Sequence, residues 1–249
     1  MNRFFVECFK GDRVALPAAE AHHALHVLRL SAGDEVELFD GCGTVGRGRI
    51  ARAVRREVLV ALEDIAHTKH PPAPAVHLGF AVPKGKRLDW LLEKATELGA
   101  ASLRPVVFER SVAAPDLNKA KAEKWRAACI AAAKQCGLDF LPEINAPEGF
   151  RHFLEECADM VCLLGDTGRD ALSLPAALDQ SSIVKRQSVI LVGPEGGLTD
   201  AERRQALAAG FRPVRIGANT LRVETAGVAM LAAVTALLPD AAPMEPMET

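Results

Sequence analysis

The 249-residue sequence predicts an α/β protein in two parts: a small β-rich domain, then a larger domain built on a mostly parallel sheet. Three observations carry that expectation. The first 70 or so residues read as short strands separated by turn signals. The prolines Pro71, Pro72 and Pro74 then stop regular structure, as a linker does. Beyond them, apolar strand-like runs alternate with helical patterns, which places helices on both faces of a parallel sheet.

The elements follow in order. Phe4–Phe9, Glu35–Phe39 and Glu57–Glu63 read as strands, the last alternating Val58, Val60 and Leu62. Gly33-Asp34 and Asp40-Gly41 are turns, and a short helix is expected over Ala18–Leu28. Residues 1–70 are therefore read as a small barrel or sandwich. Val76–Val82 reads as a buried strand. Lys86–Leu98 places Leu88, Leu91, Leu92, Ala95 and Leu98 on one helical face, with Gly99 as the C-terminal cap. Lys119–Cys136 is a long Ala-rich helix. Asp159–Leu164 and Ser188–Val192 are strand-like. Thr199-Asp200-Ala201-Glu202 spells a capping box, so a helix starts there and ends at Gly210. Arg212–Ile216 is a short strand and Glu224–Leu238 a final apolar helix. The second domain spans residues 74–239, and 240–249 read as a disordered tail.

Composition excludes several classes. Apolar residues make up 49% and charged residues 25%, too apolar for a disordered chain and enough for a core without staples. The longest nearly apolar run, Ala226–Leu238, falls short of the roughly 20 residues of a membrane span. The N-terminal residues lack the apolar stretch of a signal peptide, so a cytoplasmic protein is expected. Cys8, Cys42, Cys129, Cys136, Cys157 and Cys162 show neither C-x-x-C nor zinc-finger spacing. They read as reduced, mostly buried thiols, and no metal is expected. A formal net charge of −2 argues against bulk electrostatic binding to nucleic acid but leaves room for a local basic patch.

Three glycine-bearing segments bear on function. Gly41-Cys42-Gly43-Thr44-Val45-Gly46 spells the outline of a dinucleotide-binding turn, which would make the protein a nicotinamide-dependent oxidoreductase. Too few residues follow for a crossover helix, so a glycine-rich hairpin is the better reading. Gly193-Pro194-Glu195-Gly196-Gly197 follows an apolar strand and precedes a capped helix. Ligands bind beyond the carboxyl ends of strands in such sheets, and glycines let backbone approach them closely. Ile216-Gly217-Ala218-Asn219-Thr220-Leu221-Arg222-Val223-Glu224-Thr225-Ala226 likewise leads from a strand into a helix. It brings a guanidinium, a carboxylate and a hydroxyl to that helix start. Glu224 there also suits the helix dipole. His22, His23 and His26 read as a polar helix surface.

The last two segments resemble the signatures of the SPOUT methyltransferases, and more narrowly of the RsmE family. Arg3-Phe4-Phe5-Val6, His26-Val27-Leu28-Arg29-Leu30, Gly33-Asp34 and Phe39-Asp40-Gly41 resemble that family's PUA-like RNA-binding domain. Lys94-Ala95-Thr96-Glu97-Leu98-Gly99 and Gln135-Cys136-Gly137 match its middle stretch. Lys134 and Leu138 depart from it, standing where the family commonly has a glutamate and an arginine.

The resemblance implies a trefoil-knot methyltransferase domain, which composition and periodicity do not show. It implies a homodimer that uses S-adenosylmethionine, with small-subunit ribosomal RNA or the assembled small subunit as partner. The reaction implied is methylation of uridine N3. Other SPOUT members methylate a ribose, and a non-catalytic RNA-binding protein would keep the same fold.

Cofactor contacts are expected from Leu164, Gly165, Val192, Gly193, Pro194, Glu195, Gly196, Gly197, Ile216, Gly217, Leu221, Arg222 and Thr225. Arg222 is the candidate to stabilise the uridine anion, since a guanidinium holds its charge. Glu224 or Glu195 is either the base or the support of Arg222. RNA contacts are expected from Arg3, Arg29, Arg47, Arg49, Arg52, Lys84, Lys86, Arg87 and Lys94.

Overall fold

The computed structural model describes residues 1–55, 57–68, 74–111, 118–177 and 187–238. The expected tail and most of the proline linker lie outside these residues. The chain divides into two compact units.

The first unit carries strands β1 (Asn2–Phe5), β2 (Arg13–Ala15), β3 (Glu35–Phe39), β4 (Thr44–Val54) and β5 (Glu57–His67). Helix α1 (Ala18–His22) runs on into a π-helical turn, His23–Val27. The sheet order is β1-β3-β4-β5-β2, with β1 parallel to β3 and the other pairs antiparallel. Alternation sets the faces. In β4, Gly46, Gly48 and Ile50 point inward while Arg47 and Arg49 point out. Phe4, Leu38, Ile50, Val58 and Val60 fill the core.

Two strand expectations are corrected. β1 ends at Phe5 rather than Phe9, although the Val6 amide still donates to the Phe39 carbonyl at 2.9 Å. β5 continues past Glu63 to His67 because β4 pairs with it along its length. The Gly41–Gly46 segment is a hairpin between β3 and β4, with Gly41 and Gly43 at φ of 74° and 94°. A strand, not a helix, follows it, so the segment lacks the crossover a dinucleotide turn requires.

Residues 133–141 also belong to the first unit, where the sequence placed them in the second domain. The reason lies in their bonds. Leu141 N donates to Gly41 O at 2.9 Å and Gly43 N to Asp139 O at 3.1 Å. Lys134 pairs with Glu20 at 2.6 Å and lies over the Phe4 ring. The departure at Lys134 is thus a structural tie.

The second unit carries β6 (Val76–Ala81), α2 (Lys86–Glu97), β7 (Ser102–Val107), most of α3 (Lys119–Cys136), β8 (Glu143–Ile144), β9 (Glu148–Gly149) and α4 (Phe150–Glu155). Then follow β10 (Val161–Gly165), β11 (Leu172–Ser173), α5 (Leu174–Ala177), β12 (Ser188–Val192), α6 (Asp200–Ala208), β13 (Arg212–Arg215) and α7 (Val223–Thr235). The strand order is β11-β13-β10-β12-β6-β7-β8, with β9 also on β7, and every pairing is parallel. β12 is buried along its whole length, as a central parallel strand requires. Phe80, Leu103, Phe153, Leu163 and Phe211 are fully buried side chains.

Of the six cysteines, Cys129, Cys157 and Cys162 are buried and Cys8, Cys42 and Cys136 exposed, so the expectation of mostly buried thiols holds for half. Among the described residues, no helix is long and apolar enough to cross a membrane, and no cluster of His, Cys, Asp and Glu could hold a metal.

Candidate functional site

β13, β10 and β12 are neighbours, and their C-terminal ends point the same way. The loops leaving them enclose a cavity of about 540 Å³. Ligand clefts fall in roughly this range, about 300–1,000 Å³. Of the expected cofactor residues, Leu164, Gly165, Val192, Gly193, Pro194, Glu195, Gly197, Ile216, Gly217 and Leu221 line it. Gly196, Arg222 and Thr225 do not. Gly196 instead packs on Arg110: a β-carbon there would lie 3.5 Å from Arg110 Cβ. Arg222 is the N-cap of α7 and its side chain is exposed, between the cavity residues Leu221 and Val223.

Sequence reasoning missed Asp166, Thr167, Arg203, Asn219, Thr220 and Met230, which also line the cavity. Asn219 and Thr220 sat inside the third motif. Helical spacing could have found Met230, since Val223, Ala226 and Met230 share one face of α7.

The cavity is lined by both charged and apolar groups. Arg203 Nε donates to Asp166 Oδ2 at 2.7 Å, and its Nη2 donates to both Asp170 oxygens at 2.6 and 2.7 Å. Asp166 Oδ1 accepts from the Gly168 amide at 3.0 Å. The Arg203 hydrogen bond holds the Asp170 carboxyl below its ordinary value. Leu164, Val192, Ile216 and Met230 supply apolar lining. Gly165 and Gly193 keep the wall thin. A β-carbon on Gly165 would come within 3.1 Å of Met230 Sδ, and one on Gly193 would overlap Leu198 Cδ1.

The two candidate carboxylates differ. Glu195 is exposed on the cavity lip and pairs with Arg87 at 3.2 Å. Glu224 is buried in the first turn of α7, does not line the cavity, and its Oε2 has no hydrogen-bond partner among the described residues. Arg222 makes no ion pair with either.

The cationic residues sort into two groups. Arg3 is turned inward, against Asp139, Glu37 at 3.3 Å and the Phe39 ring, so its place is structural rather than on the surface. Arg47, Arg49 and Arg52 are exposed on β4 but already face carboxylates: Glu37, then Glu35 and Glu63, then Glu57. Two glutamates, Glu93 and Glu97, hold the Lys94 ammonium above its ordinary value. Arg87 is taken by Glu195. Arg29, Lys84 and Lys86 are exposed, and Arg29 sits at φ 56°, a conformation rare for a residue with a side chain.

The cavity at parallel strand ends and the separate β unit fall in a chain whose two parts both match RNA methyltransferase families. Residues 70–235 match the family described as RNA methyltransferase domain, and residues 16–63 the RNA methyltransferase PUA domain. The chain is 37% identical to the ribosomal RNA small subunit methyltransferase E of Synechocystis sp., over 90% of this chain and 73% of that protein. It is 28% identical to its namesake in Bacillus subtilis, over 94% and 96%. The crystal structure of this methyltransferase from Neisseria gonorrhoeae, bound to S-adenosyl methionine, superposes with a TM-score of 0.83 at 28% identity, covering 96% of this chain and 98% of that one. A methyltransferase from Legionella pneumophila, also with bound cofactor, gives 0.82 at 27% identity, covering 95% and 98%. The chain belongs to the ribosomal RNA small subunit methyltransferase E family.

Proposed function

We propose that this protein methylates N3 of a uridine in small-subunit ribosomal RNA, with S-adenosylmethionine as methyl donor. The observation that carries the proposal is the cavity at the ends of β10, β12 and β13, in a chain of this family. Asp166, Thr167 and residues 193–195, 197 and 216–221 would hold the cofactor, with Met230 against Gly165. When bound, the cofactor supplies an electrophilic methyl group, and the protein supplies position and charge.

Uridine N3 carries a proton that must leave, and the resulting anion spreads over the ring oxygens. Arg222 is suited to that charge. It is exposed at the start of α7, next to the cavity residues Leu221 and Val223, and makes no ion pair among the described residues. Glu195 stands on the lip and is the candidate to take the proton once Arg87 yields it. Glu224, buried and off the cavity, supports the helix start instead. RNA is held by the exposed cations, with Arg29, Lys84 and Lys86 contributing more than the paired arginines of β4. The proposal includes a cytoplasmic homodimer, which rests on the family resemblance and is checked by light scattering.

The test is transfer of labelled methyl from S-adenosylmethionine to undermethylated small subunits, followed by nucleoside analysis. Label as N3-methyluridine is expected. Label on a ribose would overturn the uridine-N3 chemistry. Binding of cofactor without any transfer would favour a non-catalytic RNA-binding protein. In the same assay Arg222→Ala is expected to lower kcat about 100-fold, in the range for loss of one anion-stabilising donor, with cofactor Kd unchanged.

A further inference from the structure

The loop between β12 and α6 is tied from outside the cavity. Glu202 is buried, at 7% exposure. Its Oε2 accepts from the Thr199 amide at 2.8 Å and the Thr199 hydroxyl at 3.1 Å, which closes the capping box. Capping needs only that one oxygen. The other, Oε1, accepts from the Glu109 amide at 2.8 Å, in the turn that follows β7. That turn is closed by Ser111, whose Oγ accepts from the Phe108 amide at 2.9 Å.

The same turn presents Arg110, and Arg110 reaches back. Its Nη1 donates to Gly196 O at 3.0 Å and lies 3.5 Å from Leu198 O. A run of hydrogen bonds thus leaves the loop at Thr199 and returns to it at Gly196. Gly196 takes part through its carbonyl; a β-carbon there would stand at ordinary contact, 3.5 Å from Arg110 Cβ.

The tie matters because of what it holds. Gly193, Gly196 and Gly197 fall within five residues, and glycine loses more backbone entropy on ordering than any other residue. Residues 193–195 and 197 line the cavity. Backbone groups bind a ligand well only when they are already in place.

We propose that Glu202 and Arg110 are positioning residues that fix the 193–198 loop and thereby set the affinity of the cavity for its ligand. This rests on the S-adenosylmethionine reading given above. Neither residue touches the reacting atoms. Loosening the tie raises the concentration of cofactor required, and acts on kcat only through Glu195, which the same loop carries.

The experiment is calorimetric titration of S-adenosylmethionine into the full chain and into Arg110→Ala, Arg110→Lys and Glu202→Gln. Hydrogen exchange of the 195–198 amides is followed without cofactor. Arg110→Ala lies on the surface and folds even if Glu202→Gln does not. Arg110→Ala and Glu202→Gln are expected to raise Kd and the cofactor KM about tenfold, the effect of one or two charge-assisted hydrogen bonds, with a smaller change in kcat. Exchange at 195–198 is expected to quicken, and Arg110→Lys to recover most of the affinity. If the full chain binds cofactor and Arg110→Ala binds it equally, with unchanged exchange, the proposal is overturned alone. If the full chain binds no cofactor, the cofactor reading and the affinity claim fall together.

Discussion

Arg203 Nε donates to Asp166 Oδ2 at 2.7 Å, joining helix α6 to the loop that leaves β10. Both residues line the cavity. The guanidinium also takes both oxygens of Asp170. One side chain therefore holds the whole 166–170 turn. Asp166 keeps its carboxylate aimed by two bonds, one to Arg203 and one to the Gly168 amide. Arg203→Ala is expected to weaken S-adenosylmethionine binding about tenfold, since loss of a charge-assisted hydrogen bond costs about 1.5 kcal/mol or more. Titration calorimetry checks it. An unchanged Kd would show that the pair only ties surface loops.

His77 gives the protein an acid-sensitive contact. Its Nδ1 lies 2.7 Å from Ser102 Oγ and its Nε2 3.2 Å from Gln187 Oε1, bridging β6, β7 and the residue before β12. Burial pushes its pKa below the ordinary 6.5, against a smaller opposing effect of the Gln187 bond. The unfolded chain therefore binds a proton that the folded chain refuses. Stability from this group is complete above pH 6.5 and is lost as pH falls through the lower folded value. Denaturant midpoints at pH 7.5 and 5.5 should drop more in the native chain than in His77→Gln. Equal drops would mean that the ring is solvated in the folded state.

Arg104 lies in the interior of the second unit and depends on Glu148. The guanidinium donates through Nε and Nη2 to the two carboxylate oxygens, at 2.8 and 2.9 Å, and stacks over Phe153. Breaking such a pair from one side leaves an uncompensated charge, at a cost of about 3 kcal/mol. Arg104→Met is expected to destabilise by that amount, and the double variant with Glu148→Leu to regain part of it. Chemical denaturation decides. A single variant as stable as the native chain would show that water reaches Glu148.

That pair also explains what the sequence hid. β12 reads as a strand because it is apolar throughout, and α6 because Thr199 and Glu202 spell its start. β7 was missed because Arg104 and Pro105 interrupt its pattern, and the partner that neutralises Arg104 lies 44 residues away. The site divides the same way. The glycine motifs were legible because close backbone approach demands a residue without a side chain. Asp166 and Arg203 were not, because an ion pair between a loop and a helix 37 residues apart leaves no local period. On the basic strand β4 the sequence shows the charges but not their partners. Its arginines are visible in sequence, while Glu35, Glu37, Glu57 and Glu63, which meet them, stand on neighbouring strands.

Gly165 supplies a test of cavity shape that leaves charge untouched. It ends β10, and its backbone is not in the left-handed region, so alanine is conformationally allowed. A β-carbon would stand 3.1 Å from Met230 Sδ but at ordinary contact, 3.6 and 3.7 Å, from Leu191 O and Val192 Cγ2. The thioether must give way, and Met230 is itself a wall of the cavity. Overpacking of this kind costs about 1–3 kcal/mol. Gly165→Ala is therefore expected to weaken cofactor binding about tenfold, with a smaller loss of thermal stability. Shortening the neighbour should relieve it: Gly165→Ala with Met230→Ala should bind more tightly than Gly165→Ala alone. Rescue would show that the direct contact between residue 165 and Met230 sets the shape of the cavity. A double variant weaker than either single change would mean that Met230 contributes through its own contact with the ligand, and that Gly165 is a glycine for some other reason.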